Sequence, residues 1–229
     1  MSESEILINP IAHIETDFTE KFGIPRQSGR VSELIGKIVF CPEYRNPDAL
    51  RGIEGFSHLW LLFDFSRSHR EKWSPTVRPP RLGGNTKVGV FASRSPFRPN
   101  PIGLSAVKLE RVEQTENEGT VLIVSGVDLL SGTPIIDIKP YLPFADCKTD
   151  ATCGFAGEFE EYRLAVSFPN ELLDIIPSNK RNAVLNCLAE DPRPSYQDDT
   201  RNYKMRFAEF DISFKVEANL LTVTNVLKI

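Results

Sequence analysis

Cysteine and histidine are scarce in this chain, and those present are scattered. The four cysteines (Cys41, Cys147, Cys153, Cys187) form no C-x-x-C pair, which suits neither a zinc site nor a disulfide framework and points to reduced thiols in the core or in loops. The three histidines (His13, His58, His69) make no H-E-x-x-H, so no metal is expected, and His58, inside an apolar run, reads as structural. Also missing are a P-loop and a G-x-G-x-x-G after a strand, and Gly103-Leu104-Ser105 does not continue as a nucleophile elbow. Zinc and serine hydrolases therefore lose support. No run approaches the roughly 18 apolar residues of a membrane span, and the opening MSESEILINP lacks the basic-then-apolar order of a secretory leader. The expectation is a cytoplasmic protein that engages no membrane.

What is present is enough to fold. With 229 residues, 41% hydrophobic and 25% charged, the chain supports one sizeable core plus a small appended domain. A net charge of −4 argues at first against a nucleic-acid partner. The average hides an asymmetry. Between Arg67 and Arg98 stand eight basic residues (Arg67, Arg70, Lys72, Arg78, Arg81, Lys87, Arg94, Arg98) against one acid (Glu71), a local +7 that leaves −11 for the rest. A concentrated basic segment on an acidic body suits selective contact with a polyanion; the plain alternative is a solvated basic loop.

To about residue 145 the chain is a series of short apolar runs rich in β-branched and aromatic residues: Glu5 to Ile14, Gly36 to Phe40, Phe56 to Phe65, Lys87 to Ala92, Gly103 to Val112, Thr120 to Val127 and Pro134 to Ile138. These predict strands. The Pro/Gly-rich connections PTVRPPRLGGN and SPFRPNPIG exclude helix interiors between them. A mainly β fold, with a β-barrel as N-terminal domain over 1–150, is the economical architecture, because closure removes exposed edges. After Phe168 the spacing of Leu172, Ile175, Ile176, Val184, Leu185 and Leu188, broken at Pro177, predicts one or two helices. Two strand-like runs follow, Lys204 to Val216, whose imperfect alternation suggests a bulge, and Asn219 to Leu227. Residues 160–229 are thus expected as a small α+β C-terminal domain.

Two loop clusters stand out. Ala92 to Gly103 packs Arg94, Arg98, Asn100 and three prolines around Phe97; prolines lower the entropy cost of holding polar groups, and each arginine can grip a carboxylate or phosphate bidentately. A rigid loop with internally paired arginines is the plain alternative. Asp128 to Tyr141 begins with a turn and ends just past a strand in which alternation sets Asp137 and Lys139 on one face, Ile136 and Ile138 on the other. That pair reads either as an ion pair or as a tuned proton acceptor.

These clusters, with GIPRQSG (Gly23 to Gly29), FSHLWLLFDF (Phe56 to Phe65) and PTVRPPRLGG (Pro75 to Gly84), resemble the TsaA-like family, and DPRPSY (Asp191 to Tyr196) resembles the tail of its bacterial members. The resemblance covers about residues 5 to 145 and implies a β-barrel instead of a Rossmann-type methyltransferase domain, in keeping with the missing glycine fingerprint. It implies methyl transfer from S-adenosylmethionine to N6 of threonylcarbamoyladenosine beside the anticodon of threonine tRNA, by a homodimer with sites near the subunit interface. It further implies cofactor contacts at Pro25, Arg26, Gln27, Ser66, Arg67, Arg94, Leu104 and the turn Asp128, Leu129, Leu130, Ser131.

The chemistry adds expectations of its own. The attacking nitrogen has a poorly available lone pair, so a carboxylate that takes its proton helps; Asp137 is the candidate, with Tyr141 as a stacking or hydrogen-bonding partner of the base. Arg78, Arg81, Arg98, Asn100 and Lys139 are the candidate tRNA contacts. Two competing readings are a non-catalytic barrel that binds RNA or a nucleotide and a methyltransferase for protein or a small molecule; turnover and salt-sensitive tRNA affinity separate them.

Overall fold

The structure, a computed structural model, describes residues 6–193 and 201–229. Of the DPRPSY run, Pro194, Ser195 and Tyr196 lie outside the described residues. The first half forms β1 (Ala12–Thr16), β2 (Ile35–Phe40), β3 (His58–Asp64), the two-residue strands β4 (Thr76–Val77) and β5 (Val88–Gly89), then β6 (Ile102–Thr115), β7 (Gly119–Ser125) and β8 (Thr133–Pro140). Six of them close into an antiparallel barrel in the order β1-β2-β7-β6-β3-β8.

Period-two alternation decides what faces inward. Leu59, Leu61 and Phe63 of β3 meet Val107 and Leu109 of β6, Leu122 and Val124 of β7 and Ile135 of β8 in one core. Gly103 pairs with Phe63 across the sheet, and a Cβ there would lie 2.2 Å from the Phe63 ring, so glycine is what lets that ring fill the barrel. Strand β6 runs past the expected end at Val112 because it serves two neighbours, β3 and then β7, and turns between them at a bulge near Leu109 to Arg111.

Two expected strands are corrected. The run from Glu5 becomes a strand only at Ala12, opposite Phe40, where β2 ends; Ile6 and Leu7 are exposed. The run Lys87 to Ala92 gives just β5, paired to β4 and not to the barrel, before a 3-10 turn at Val90–Ala92.

The second half holds α1 (Pro143–Asp146), β9 (Ala165–Ser167), α2 (Asn170–Leu173), α3 (Ser178–Ala189), β10 (Tyr203–Phe207), β11 (Phe210–Glu217) and β12 (Leu220–Lys228). The expected strand Lys204 to Val216 is two: the chain reverses at Ala208-Glu209, with Ala208 at φ 50°, so the alternation breaks at a hairpin, and the bulge lies further on at Ser213/Phe214. With β9 parallel to β12, the sheet has four strands in the order β10-β11-β12-β9. Its core is continuous with that of the barrel: Phe18 meets the Phe207 ring edge-on at 5.4 Å, and Gly23, at φ 98°, has no room for a Cβ against Met205. All four cysteines are free thiols. Among the described residues no helix is long and apolar enough to cross a membrane.

Candidate functional site

At one end of the barrel three segments converge: the loop after β1, the turn after β7 and the loop before β6. Gly29 donates its N–H to the Gly126 carbonyl at 2.9 Å, and both glycines have positive φ (77° and 73°). A Cβ on Gly126 would already touch the Gly29 backbone at 3.4 Å, and the positive φ values favour glycine at both positions, so the pair lets the Pro25–Gly29 loop lie against the chain leading to Asp128. Ser105 of β6 donates its hydroxyl to Asp128 at 2.6 Å. Burial pushes the Asp128 carboxyl above the usual carboxylate range, opposed by hydrogen bonds from Ser105, the Asp128 and Ser28 backbones and the charge of Arg94. The rest of the turn is stitched to β1 and its exit: Thr16 donates its hydroxyl to the Leu129 carbonyl at 3.0 Å, and Ser131 its N–H to Phe18 at 2.7 Å, with Leu129 buried and Leu130 half-buried.

Arginines frame this end. Arg94 donates to the Gln27 side-chain oxygen, and Gln27 donates to the Arg26 carbonyl at 2.5 Å. Arg26 donates from Nη2 to the Arg193 carbonyl at 2.8 Å, while its buried Nε finds no partner among the described residues. Burial, and then the charge of Arg81, make the Arg26 guanidinium more acidic than usual. Ser66 and Arg67 lie exposed beside the same loop, where Lys21 donates to the Arg67 carbonyl at 2.9 Å. A cleft of about 330 Å³ opens on this loop; it is lined by Lys21, Pro25 and Arg26 together with Cys187, Glu190 and Asp191. Gln27, Arg94 and Asp128–Ser131 do not line it.

Leu104 is not part of that end cluster within the chain. It projects outward from β6, 54% exposed. Leu62 pairs with Leu104 on one side and Asp137 on the other, and Trp60 pairs with Ala106 and Lys139, so these residues form one outer wall. There Lys139 and Asp137 form an ion pair at 2.7 Å. Tyr141 packs on Trp60, ring centroids 5.3 Å apart, with His58 at 6.3 Å.

The basic loop divides too. Arg78 is exposed. Arg81 is turned inward over the rings of Tyr162 (5.3 Å) and Phe159 (5.6 Å) and donates to the Glu190 carbonyl at 3.4 Å. Burial lowers its pKa. Arg98 folds back onto the Ser93 carbonyl at 3.2 Å, and Asn100 is exposed just before β6, its carbonyl accepting from the Ile102 N–H at 2.8 Å.

The residues that brace the site are ones the sequence reading missed. Ser105 carried a signal, a polar residue on the inward phase of β6 with Val107 and Leu109. So did Glu190, an acid at the C-terminal end of α3, where the helix dipole disfavours it. Glu190 is buried, pairs with Arg30 at 2.9 Å and faces Arg163 at 3.4 Å, clamping the α+β unit onto the Pro25–Arg30 loop. Among the described residues no group of three or more His, Cys, Asp or Glu is gathered as a metal site.

A closed antiparallel barrel with arginines and a half-buried carboxylate at one end, clamped by an α+β unit, defines a class of barrel-type site that is architecturally distinct from the Rossmann sheet. The chain belongs to the tRNA-methyltransferase O (TrmO) family: residues 13–147 match its N-terminal domain and 161–229 its C-terminal domain. A tRNA (adenine(37)-N6)-methyltransferase of Escherichia coli (strain K12) is 41% identical over 222 residues, 93% of this chain and 94% of that protein. One from Eikenella corrodens is 47% identical over 176 residues, 76% of this chain and 98% of that one. The crystal structure of TrmO from Pseudomonas aeruginosa superposes with a TM-score of 0.79 at 33% identity, covering 98% of this chain and 99% of that one.

Proposed function

We propose that this chain transfers a methyl group from S-adenosylmethionine to N6 of adenosine 37 in tRNA, with threonylcarbamoyladenosine of threonine tRNA as the substrate. The observation that carries the reading is the convergence of Asp128, Arg26, Gln27 and Arg94 at the barrel end of a TrmO-family chain. The donor set suits the cofactor. Asp128 offers a carboxylate to an ammonium or sulfonium, the Arg26 Nε, without a partner among the described residues, and Arg94 offer charge to a carboxylate, and the half-buried Leu130 offers apolar surface to an adenine.

S-adenosylmethionine, when bound, supplies an electrophilic methyl on a positively charged sulfur. An in-line displacement then needs the attacking nitrogen about 3 Å away on one axis, so the chain contributes chiefly positioning and exclusion of water. Asp137, held in place by Lys139, accepts the N6 proton, and Tyr141 with Trp60 offers a face for the purine. Leu104 and Asp137 share an outer wall, away from Asp128. A homodimer that joins this wall to the barrel end of a second copy completes the site; the exposed Ile102 and Leu104 support it. A tRNA substrate supports a cytoplasmic location. The test is methyl transfer from labelled S-adenosylmethionine to tRNA from cells lacking the gene, followed by nucleoside mass analysis. Methylation confined to the modified adenosine is expected; equal transfer to tRNA without the threonylcarbamoyl group overturns the substrate assignment, and none to either tRNA overturns the reading.

A further inference from the structure

The long connection between β3 and β6 leaves large aromatic side chains in solvent although it has buried surface available to it. Val90 is 1% exposed, yet the 3-10 turn it opens throws the next residue, Phe91, outward at 73% exposure. The N–H of Val90 binds the Pro75 carbonyl at 2.9 Å and ties the two limbs of the loop together. As a result Trp73, 53% exposed, stands beside Phe91 with ring centroids 6.3 Å apart and planes tilted by 33°. Nearby in the same segment the exposed Arg70 lays its guanidinium 3.7 Å over the Phe97 ring. Exposed flat rings of this size are uncommon on a surface without a partner.

Charge decides which partner. The rings sit in the +7 segment of a chain whose net charge is −4, so a second copy presenting the same face is repelled and a polyanion attracted. A polyanion that also offers unpaired planar bases fits both features, since every base has a face to stack and a phosphate beside it.

We propose that Trp73 and Phe91 form a stacking platform for an unpaired base of the tRNA anticodon loop other than the target adenosine, so that the loop is held splayed while the target is presented. This rests on the tRNA-methyltransferase reading above. Stacking is sequence-tolerant and releases no counterions, whereas the surrounding Lys and Arg act through phosphates.

The experiment measures tRNA binding and methylation by Trp73→Ala, Phe91→Ala and Trp73→Phe at several salt concentrations, alongside S-adenosylmethionine affinity, Tm and sedimentation. Each alanine variant is expected to bind tRNA roughly 5- to 150-fold more weakly, with cofactor affinity, Tm and the salt slope unchanged, and Trp73→Phe to recover most of the loss. An anticodon stem-loop should quench tryptophan emission in the wild type by an amount that Trp73→Phe removes. Wild-type tRNA affinity in both alanine variants overturns the proposal. So does an altered oligomeric state with tRNA affinity intact, which makes the rings a protein interface. Failure of the wild-type enzyme to methylate any tRNA overturns instead the reading on which the proposal rests.

Discussion

Asp128→Asn separates cofactor binding from folding at a single atom pair. The carboxylate accepts a 2.6 Å hydrogen bond from Ser105 and is kept half-buried by the Gly29–Gly126 junction. Asparagine keeps the shape and can still accept from Ser105, but its amide faces the Ser28 N–H that the carboxylate accepts from. Losing one neutral hydrogen bond costs about 1 kcal/mol, which relief of charge burial offsets. The apo protein is therefore expected to melt within a few degrees of wild type, taking about 2–4 °C per kcal/mol. A bound ammonium or sulfonium loses a charged acceptor, about 1.5–3 kcal/mol, so calorimetry should give a Kd for S-adenosylmethionine roughly 10- to 150-fold higher. The pH dependence has a definite sign. Unfolded, the group titrates near 3.8, and burial raises it in the folded chain. Between those two values the folded state holds a proton that the unfolded state has released, so wild-type stability falls as pH rises through that window and is flat above it; the Asn variant lacks this slope. Cofactor affinity in the wild type should fall as pH drops through the raised value. Wild-type affinity in Asp128→Asn, or the same pH profile in both proteins, would refute the assignment of Asp128 to the cofactor.

Other outcomes follow from single contacts. Gly103→Ala forces a Cβ into the Phe63 ring and should cost about 1–3 kcal/mol, a Tm loss of about 2–12 °C by calorimetry. Arg78→Glu should weaken tRNA binding and lower the salt slope by about 1, whereas Arg81→Glu, reversing a charge packed on Tyr162 and Phe159, should first appear as a lowered Tm. Glu190→Gln removes the charge that pairs with Arg30, an expected loss of about 1.5–3 kcal/mol, with KM for S-adenosylmethionine rising more than kcat falls because the Pro25–Arg30 loop loses its clamp. Asp137→Asn should cut kcat roughly 100-fold or more and leave the cofactor Kd unchanged; equal kcat at saturating substrates moves the proton acceptor elsewhere.

Much of the fold was legible because strand periodicity is local. The inward phase of β3 and β6 can be read from Leu59-x-Leu61-x-Phe63 and Val107-x-Leu109, and the Pro/Gly connections mark where strands end. The change of period after Phe168 likewise marks where the helices α2 and α3 follow. Local pattern misled where an apolar run lacked a ladder to join, as before Ala12, and where a two-residue reversal at Ala208-Glu209 passed for a bulge. The motif residues Pro25 to Gln27, Arg94 and Asp128 to Ser131 stand out by type, yet nothing in their spacing brings them together; that depends on glycines at positive φ meeting across loops roughly a hundred residues apart. Strand phases, the segregation of positive charge and the loops rich in proline and arginine depend on residue type and short-range period, and so could be read along the chain. Which arginines face solvent, the bracing of the loop by Arg81 and Glu190, and the outer wall shared by Leu104 and Asp137 emerge from the folded chain alone, because orientation and burial are set by partners far along it.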